Sequence, residues 1–318
     1  MSYSNVLFVD LLYSEGGSLD QDAKTIISSL ELDYKVNYLR YEQKAGYRSI
    51  VDIFHHVFTH RYDKVIFLSS KVSHLFPLAL LRVKTKCYAI YHFMPNHRLK
   101  FHRYSLKFLS KFFIIGVYAG GVANQIERHL GFIPRVLPSR IIDRKISLSM
   151  LREKLAQKKV SLLVPGIRPG VRTEVKLDPI TKALELKYGH KLERICIQGE
   201  MPVDGENSKI VHRVGSLSQD EYDSLYREAL IVVVRFHEDY EVRASGVILD
   251  ALKNGCLILS ENHSINRQYG FPKSIVTDLA NLDSVIAIIN GESDEKILPM
   301  LPGANSQEFK ETWLSFLS

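Results

Sequence analysis

Residues 241–260 read EVRASGVILDALKNGCLILS, an apolar run whose front end carries Arg243, Ser245 and Gly246, with Asp250 one turn further in. A helix that only had to pack needs no guanidinium, glycine and carboxylate at its mouth. A helix start presents unpaired N–H groups and the positive end of the dipole, which suit an anion such as a phosphate. Gly246 lets a ligand approach the backbone with no Cβ in the way, and Val247 belongs to the same first turn. Ser245 adds a hydroxyl donor and Arg243 a charge-assisted contact. Asp250 can accept hydrogen bonds from a diol. The plainer alternative is that Ser245 caps the helix and Arg243 is solvated.

Other polar residues stand where short apolar runs end. Gly166, Arg168 and Arg172 follow "LLVP", and Arg213 follows "KIVH". Two arginines beside a glycine can neutralise charge that develops on a phosphate, the task a metal performs elsewhere. Gly16 and Gly17, after the first apolar run, either bring backbone amides to a ligand or serve a β–α turn. His92 ends "KCYAIYH", where it could hold a ligand, act as a base toward a hydroxyl, or be structural. Glu238, Asp239 and Glu241 are the acids that precede the helix start. The triplet "DQD" at 20–22 imitates a metal-binding pattern, but acids at a helix start complement its dipole. There is no CxxC pair, and "HEDYE" lacks a second histidine at helical spacing, so no metal site is expected.

The elements that must position these residues alternate throughout. "NVLFVDLL", "KVNYLR", "KVIFLSS", "KCYAIYHF" and "FFIIGVY" are strand-like and separated by amphipathic stretches. "KVSLLVPGI", "ERICIQGE", "KIVHRVG", "LIVVVRF", "CLILSE" and "SIVTDL" repeat the alternation after residue 158. Strands apolar on both faces and separated by helices predict parallel sheets covered on both sides. Two such series predict an α/β chain of two doubly wound, Rossmann-like domains, joined by a linker near 138–160. In such sheets ligands bind beyond the carboxyl ends of the strands. Glycine, arginine and carboxylates gather at those ends in the second half, which suggests a nucleotide-diphosphate pocket. The tail "SQEFKETWLSFL" spaces Phe309, Trp313, Phe316 and Leu317 as the buried face of a docked helix.

The second half resembles the donor-binding domain of GT-B glycosyltransferases. The match is to the large family whose signature reads roughly E-G-F-G-L-P-x-L-E-A-x-x-x-G-x-P-V-V-A-S. "SGVILDALKNGCLILS" follows the back half of that pattern, with Asp250 in place of its second glutamate and Gly255 at its glycine. "VGSLSQDEYDSLYREALIVVV", "LLVPGIRPGVR" and "SEGGSLDQ" resemble further segments of the family. The resemblance spans most of the chain, with its specific part at 160–270. It departs at the family's first glutamate, where this chain has Val242 and the family's glycines become Arg243 and Ser245. Glu241, if the turn is one residue longer, or Glu238 or Asp239 from the preceding loop, could take that role of holding sugar hydroxyls. The resemblance implies two domains facing a cleft: an acceptor domain over 1–150, a nucleotide-sugar domain over 158–300, and a helix at 301–318 packing back. It implies a metal-independent transferase that moves a sugar from a nucleotide-diphosphate sugar to an acceptor hydroxyl, with no other cofactor. Asp250 would hold the ribose diol, Arg168 and Arg172 the leaving diphosphate, and His92 the sugar or the acceptor.

Charge narrows the partners. The chain carries a net +7, but residues 1–145 hold 21 Lys+Arg against 11 Asp+Glu, and no acid lies between Asp63 and Glu127 where ten Lys or Arg fall. That half offers a positive face to something anionic. Residues 97–113 interleave Arg98, Lys100, Arg103, Lys107 and Lys111 with apolar residues, as an interfacial helix on anionic lipid does. An ordinary surface helix with a core face has the same pattern. With the resemblance, the basic face suggests a lipid-linked glycan acceptor at the cytoplasmic side of a membrane, in surface polysaccharide assembly. No apolar run reaches the ~20 residues of a membrane span, and no signal peptide is expected. Three cysteines, an odd number, read as buried thiols. No nucleic-acid-binding module is present. A nucleotide-sugar epimerase of the same fold, or an inactive GT-B scaffold that binds a partner or the membrane, are the competing readings.

Overall fold

Apolar residues at successive strand positions leave no face for water. In the computed structural model such runs form the interiors of two parallel sheets. The structure describes residues 4–13, 18–42, 46–92, 99–141, 160–167, 180–182, 185–186, 192–199, 210–214, 217–235, 245–260, 276–277 and 305–318. At 18, 99–103, 160–161, 167, 192–194, 199, 210–214, 219 and 276–277 it describes the backbone. Two compact units divide the chain: unit 1 holds residues 1–141 and 303–318, and unit 2 most of 142–302.

Unit 1 contains β1 (Ser4–Tyr13), β2 (Tyr34–Glu42), β3 (Lys64–Ser69), β4 (Lys86–Ile90), β5 (Ile114–Val117) and β6 (Arg135–Val136). All pair in parallel, in the order β2-β1-β3-β4-β5-β6. The helices are α1 (Ser18–Leu30), α2 (Gly46–Thr59), α3 (Val72–Leu78), which runs into a 3-10 turn at Ala79–Val83, α4 (Leu99–Leu109) and α5 (Gly120–Leu130). Ala23, Ile26, Ile27 and Leu30 give α1 a buried stripe at helical spacing. The direction of the sheet's winding changes between β1 and β3, so a crevice is expected beyond their carboxyl ends.

Leu106 and Leu109 of α4, and Phe113 beyond it, are buried in the core, so part of the apolar pattern over 97–113 serves packing. Tyr104, Lys107 and Phe108 remain outside.

Unit 2 contains β7 (Val160–Ile167), β8 (Leu192–Gly199), β9 (Ile210–Val214), β10 (Ile231–Val234), β11 (Leu257–Ser260) and β12 (Val276–Thr277). The order is β12-β11-β10-β7-β8-β9, again all parallel. The winding reverses between β7 and β10, the arrangement that binds dinucleotides in doubly wound sheets. Its described helices are α6 (Gln219–Glu228) and α7 (Gly246–Lys253). α6 starts on a capping box in which Ser218 and Glu221 satisfy each other's backbone N–H groups.

A last helix, α8 (Ser306–Leu317), opens on a second capping box, Asn305 with Glu308. It buries Phe309, Trp313, Phe316 and Leu317 in the core of unit 1, against Val6, Phe8, Tyr88 and Leu137. The contact is specific as well as apolar. The Trp313 indole N–H donates to the Pro138 carbonyl at 3.0 Å and the Tyr88 hydroxyl to the Leu317 carbonyl at 3.0 Å, while Lys310 pairs with Asp33 at 2.8 Å. Unit 1 is therefore discontinuous in sequence.

Candidate functional site

In unit 2 the local sequence explains the shape of the carboxyl edge. Gly166, near the end of β7, is buried with φ +56°, in the left-handed region that a side chain resists, at an irregularity of its pairing with β8. β10 ends at Val234 and exposed Arg235 follows it. Because α7 lies between the parallel neighbours β10 and β11, its first residues sit on the carboxyl side of the sheet, next to the reversal of winding. Gly255 turns the chain from α7 into β11 with φ +67°, which explains the glycine of the matched motif: only a left-handed residue fits there.

Ser245 is completely buried in extended conformation at the N-cap position, but its hydroxyl makes no capping bond to the helix. The simple capping account of this serine therefore fails. Gly246 and Val247 open the helix as expected. Asp250 is 9% exposed, and its carboxylate accepts a hydrogen bond from the Tyr222 hydroxyl at 3.0 Å. Tyr222 lies 3.0 Å from the Tyr226 hydroxyl. Each hydroxyl has one proton and the carboxylate is the stronger acceptor, so the relay runs from Tyr226 through Tyr222 to Asp250. These two tyrosines, four apart on α6, are the residues that sequence reasoning missed. Their spacing is visible, but nothing in it names Asp250 as their partner.

Much of the expected donor set lies outside the described residues: Gly16, Gly17, Arg168, Arg172, Glu238, Glu241 and Arg243. Arg213 lies in β9, opposite Gln198 of β8, with its backbone alone described. Arg98 is also outside, as are the side chains of Lys100 and Arg103, while Lys107 and Lys111 are exposed.

In unit 1 the carboxyl edge gathers polar groups at its own reversal point. Asp10 of β1 stands opposite Ser69 of β3, whose hydroxyl donates to the Asp10 carboxylate. The Leu12 N–H donates to the same oxygen at 2.9 Å. Burial outweighs these bonds and raises the Asp10 pKa above the ordinary range. His92 follows β4 and donates from Nε2 to the Leu68 carbonyl at 2.6 Å, with Tyr118 edge-on at 4.7 Å between ring centroids. A carbonyl only accepts, so the proton of the neutral ring is on Nε2 and the acceptor nitrogen is Nδ1. Asp20 pairs with Lys24 at 2.9 Å, and Asp22 with Arg140 at 2.8 Å. The two acids of "DQD" thus face different cations, and no cluster of three or more metal-ligating side chains occurs among the described residues. Asp10 was missed in sequence, although an acid inside the run "NVLFVDLLY" is the signature of a buried carboxylate.

No protein-family model matches the chain, and neither does any curated protein. Solved structures do. A Listeria monocytogenes protein assigned as a UDP-N-acetylglucosamine 2-epimerase matches 99% of this chain and 96% of its own, with TM-score 0.61 and 10% identity. HepE of Anabaena, in complex with UDP and glucose, matches 99% and 96%, with TM-score 0.57 and 12% identity. The UDP-forming α,α-trehalose-phosphate synthase of Burkholderia xenovorans matches 99% and 98%, with TM-score 0.55 and 11% identity. At these identities the likeness is one of fold. With two doubly wound parallel sheets matched over nearly its whole length, the chain has the GT-B fold shared by nucleotide-sugar glycosyltransferases and an epimerase.

Proposed function

We propose that this chain is a glycosyltransferase that binds a nucleotide-diphosphate sugar in unit 2 and transfers the sugar to an acceptor hydroxyl without a metal. The observation that carries the reading is α7. Its N-terminus opens beside the reversal of winding in sheet 2, with Ser245 uninvolved in capping, Gly246 at the first turn and Asp250 held by Tyr222. Free N–H groups there receive the diphosphate, and Asp250, oriented by the tyrosine relay, accepts from the ribose diol. Arg168, Arg172, Arg213 and Arg243 supply countercharge to the leaving diphosphate. In unit 1, His92 acts as the base toward the acceptor hydroxyl; its position just after β4, at the carboxyl edge of the sheet, supports the reading. Glu238 or Glu241 holds sugar hydroxyls in place of the family's displaced glutamate. The acceptor is a lipid-linked glycan reached at the inner face of a membrane.

A thermal-shift panel of UDP-, GDP- and TDP-sugars tests the donor half. A ligand at about 100 times its Kd stabilises the folded state by about 2.7 kcal/mol, a clear rise in midpoint. No shift with any nucleotide sugar counts against the reading. The Listeria structure favours one alternative, epimerisation of a nucleotide sugar. Incubating the donor without acceptor separates them: an epimerase changes the sugar's configuration, whereas a transferase leaves it intact.

A further inference from the structure

Unit 1 has a second concave site, on the edge opposite His92 and Asp10. A cavity of about 620 Å³ opens at the amino ends of β3, β4 and β5, lined by Arg82, Val83, Lys84, Lys86, Lys111 and Phe112 among others. Asp63 is the one acidic residue in the lining. Its carboxylate is engaged by the Ser4 hydroxyl at 2.7 Å and the Asn5 N–H at 2.8 Å. The ion pairs among the described residues belong to Lys24, Arg140 and Lys310, so none of the four cations in this cavity has an Asp or Glu partner there. Arg82 and Lys84 contact neutral groups, and Lys86 reaches Ser318, the residue that follows α8. Arg82 donates to the Lys111 carbonyl and lies 6.0 Å over the Phe112 ring; Lys84 lies 5.7 Å over Phe58; Lys86 donates to the backbone oxygen of Ser318 at 3.1 Å. Four cations sharing a cavity repel one another unless an anion joins them.

The rim decides what kind of anion. Val83 is 85% exposed and Leu80, on the same 3-10 turn, 66%. Phe76 stacks on Phe108 at 5.9 Å, and Phe108 contacts Phe112 at 5.0 Å, so a partly exposed aromatic row runs up to the cavity wall. A soluble phosphate has no use for apolar side chains standing in water around its site. An anionic bilayer uses both: headgroup phosphates meet the cations while Leu80, Val83 and Phe108 enter the interfacial layer. We propose that this cavity and its apolar rim are the membrane-docking surface, with the phosphate of an acidic phospholipid headgroup seated between Arg82, Lys84, Lys86 and Lys111. This rests on reading the chain as working at a membrane; of the segment 97–113 it keeps Phe108, Lys111 and Phe112 and joins them to Leu80, Arg82, Val83, Lys84 and Lys86.

The full chain should co-sediment with vesicles containing phosphatidylglycerol, not with phosphatidylcholine alone, and release as salt rises past a Debye length of about 10 Å at 0.1 M. The double variant Lys84→Glu/Lys111→Glu should lower partitioning by more than about tenfold, given the weight of each basic residue near an anionic surface. Val83→Asp should lower it severalfold while leaving all four cations in place. Circular dichroism and UDP affinity, measured on the same preparations, should be unchanged, so a failure of donor binding is read separately from a failure of docking. Undiminished vesicle binding by the charge-reversed protein overturns the proposal. So does equal binding to both kinds of vesicle. A midpoint raised by inorganic phosphate with no vesicle binding assigns the cavity to a soluble anion, and overturns the lipid occupant.

Discussion

Asp250 is held from one side by Tyr222, so its carboxylate and the orientation of that carboxylate can be removed separately. Removing the carboxylate with Asp250→Ala should weaken UDP binding by roughly 1.5–3 kcal/mol, the range for hydrogen bonds to charged groups. Tyr222→Phe leaves the acceptor in place and removes only its orientation, so about 0.5–1.5 kcal/mol is expected. Calorimetric titration of both variants gives the ranking; equal and negligible effects would remove α7 from the donor site. Asp10 makes the opposite kind of prediction. Burial raises its pKa, so the native state binds the proton more tightly than the unfolded chain, whose carboxyl titrates near 3.8. Stability from this group is full below that value and is lost as pH rises through the raised native pKa. Asp10→Asn removes the charge and keeps an acceptor for Ser69 and Leu12. It should be more stable than the parent to urea at pH 7, with the gap closing near pH 3.5. A gap that widens toward low pH would show that the native carboxylate is favoured, not disfavoured.

The elements were the most legible part of this chain, for a physical reason. A strand buried on both faces must be a run of apolar residues; eleven strand-like runs in the sequence correspond to eleven of the twelve described strands, including β2, an edge strand that buries none of its residues. The missed one, β6, is two residues long, with Arg135 and Val136 both exposed, so it has no apolar run to see. Pairing order was not legible, because every buried strand has the same composition. The amphipathic pattern of α4 was seen, but which partner its apolar face meets is a tertiary fact that no periodicity encodes. The tyrosine relay was hidden for the same reason, since Tyr222 and Asp250 are 28 residues apart. Packing between elements can be tested at Gly116 of β5. A Cβ there would lie 2.6 Å from Leu137 Cδ1, 2.9 Å from Ile90 Cδ1 and 3.1 Å from Phe316 Cζ. All three are buried side chains that would have to shift within a packed core, so Gly116→Ala should destabilise by roughly 1–3 kcal/mol in chemical denaturation. Trp313→Ala on α8 should cost about 3–5 kcal/mol through the cavity it leaves.

For the molecule as a whole, the metal-free transfer proposed above would make arginines the source of countercharge for the leaving group. Transfer should therefore persist in EDTA, while Arg172→Ala should slow it far more than it lowers the midpoint. Complete loss in chelator, restored by Mg²⁺ or Mn²⁺, would assign the diphosphate to a metal instead. The return of α8 to unit 1 has a further consequence, which lies in time. A polypeptide leaves the ribosome from its N-terminus, and domains ordinarily fold as they emerge. Unit 1 cannot do so. Its sheet is complete by residue 136, yet Phe309, Trp313, Phe316 and Leu317, which fill its core, are made about 170 residues later. At ≈ 5–20 residues per second that is a delay of roughly ten to thirty seconds. During it Tyr88, Val6 and Phe8 stand without their cover and unit 2 is free to fold first. A nascent chain stalled at residue 300 should thus be cut by protease within 1–141, and one whose residue 318 is carried clear of the ribosome by an added linker should be resistant there. Newly made chains in that interval are the form that a chaperone would hold.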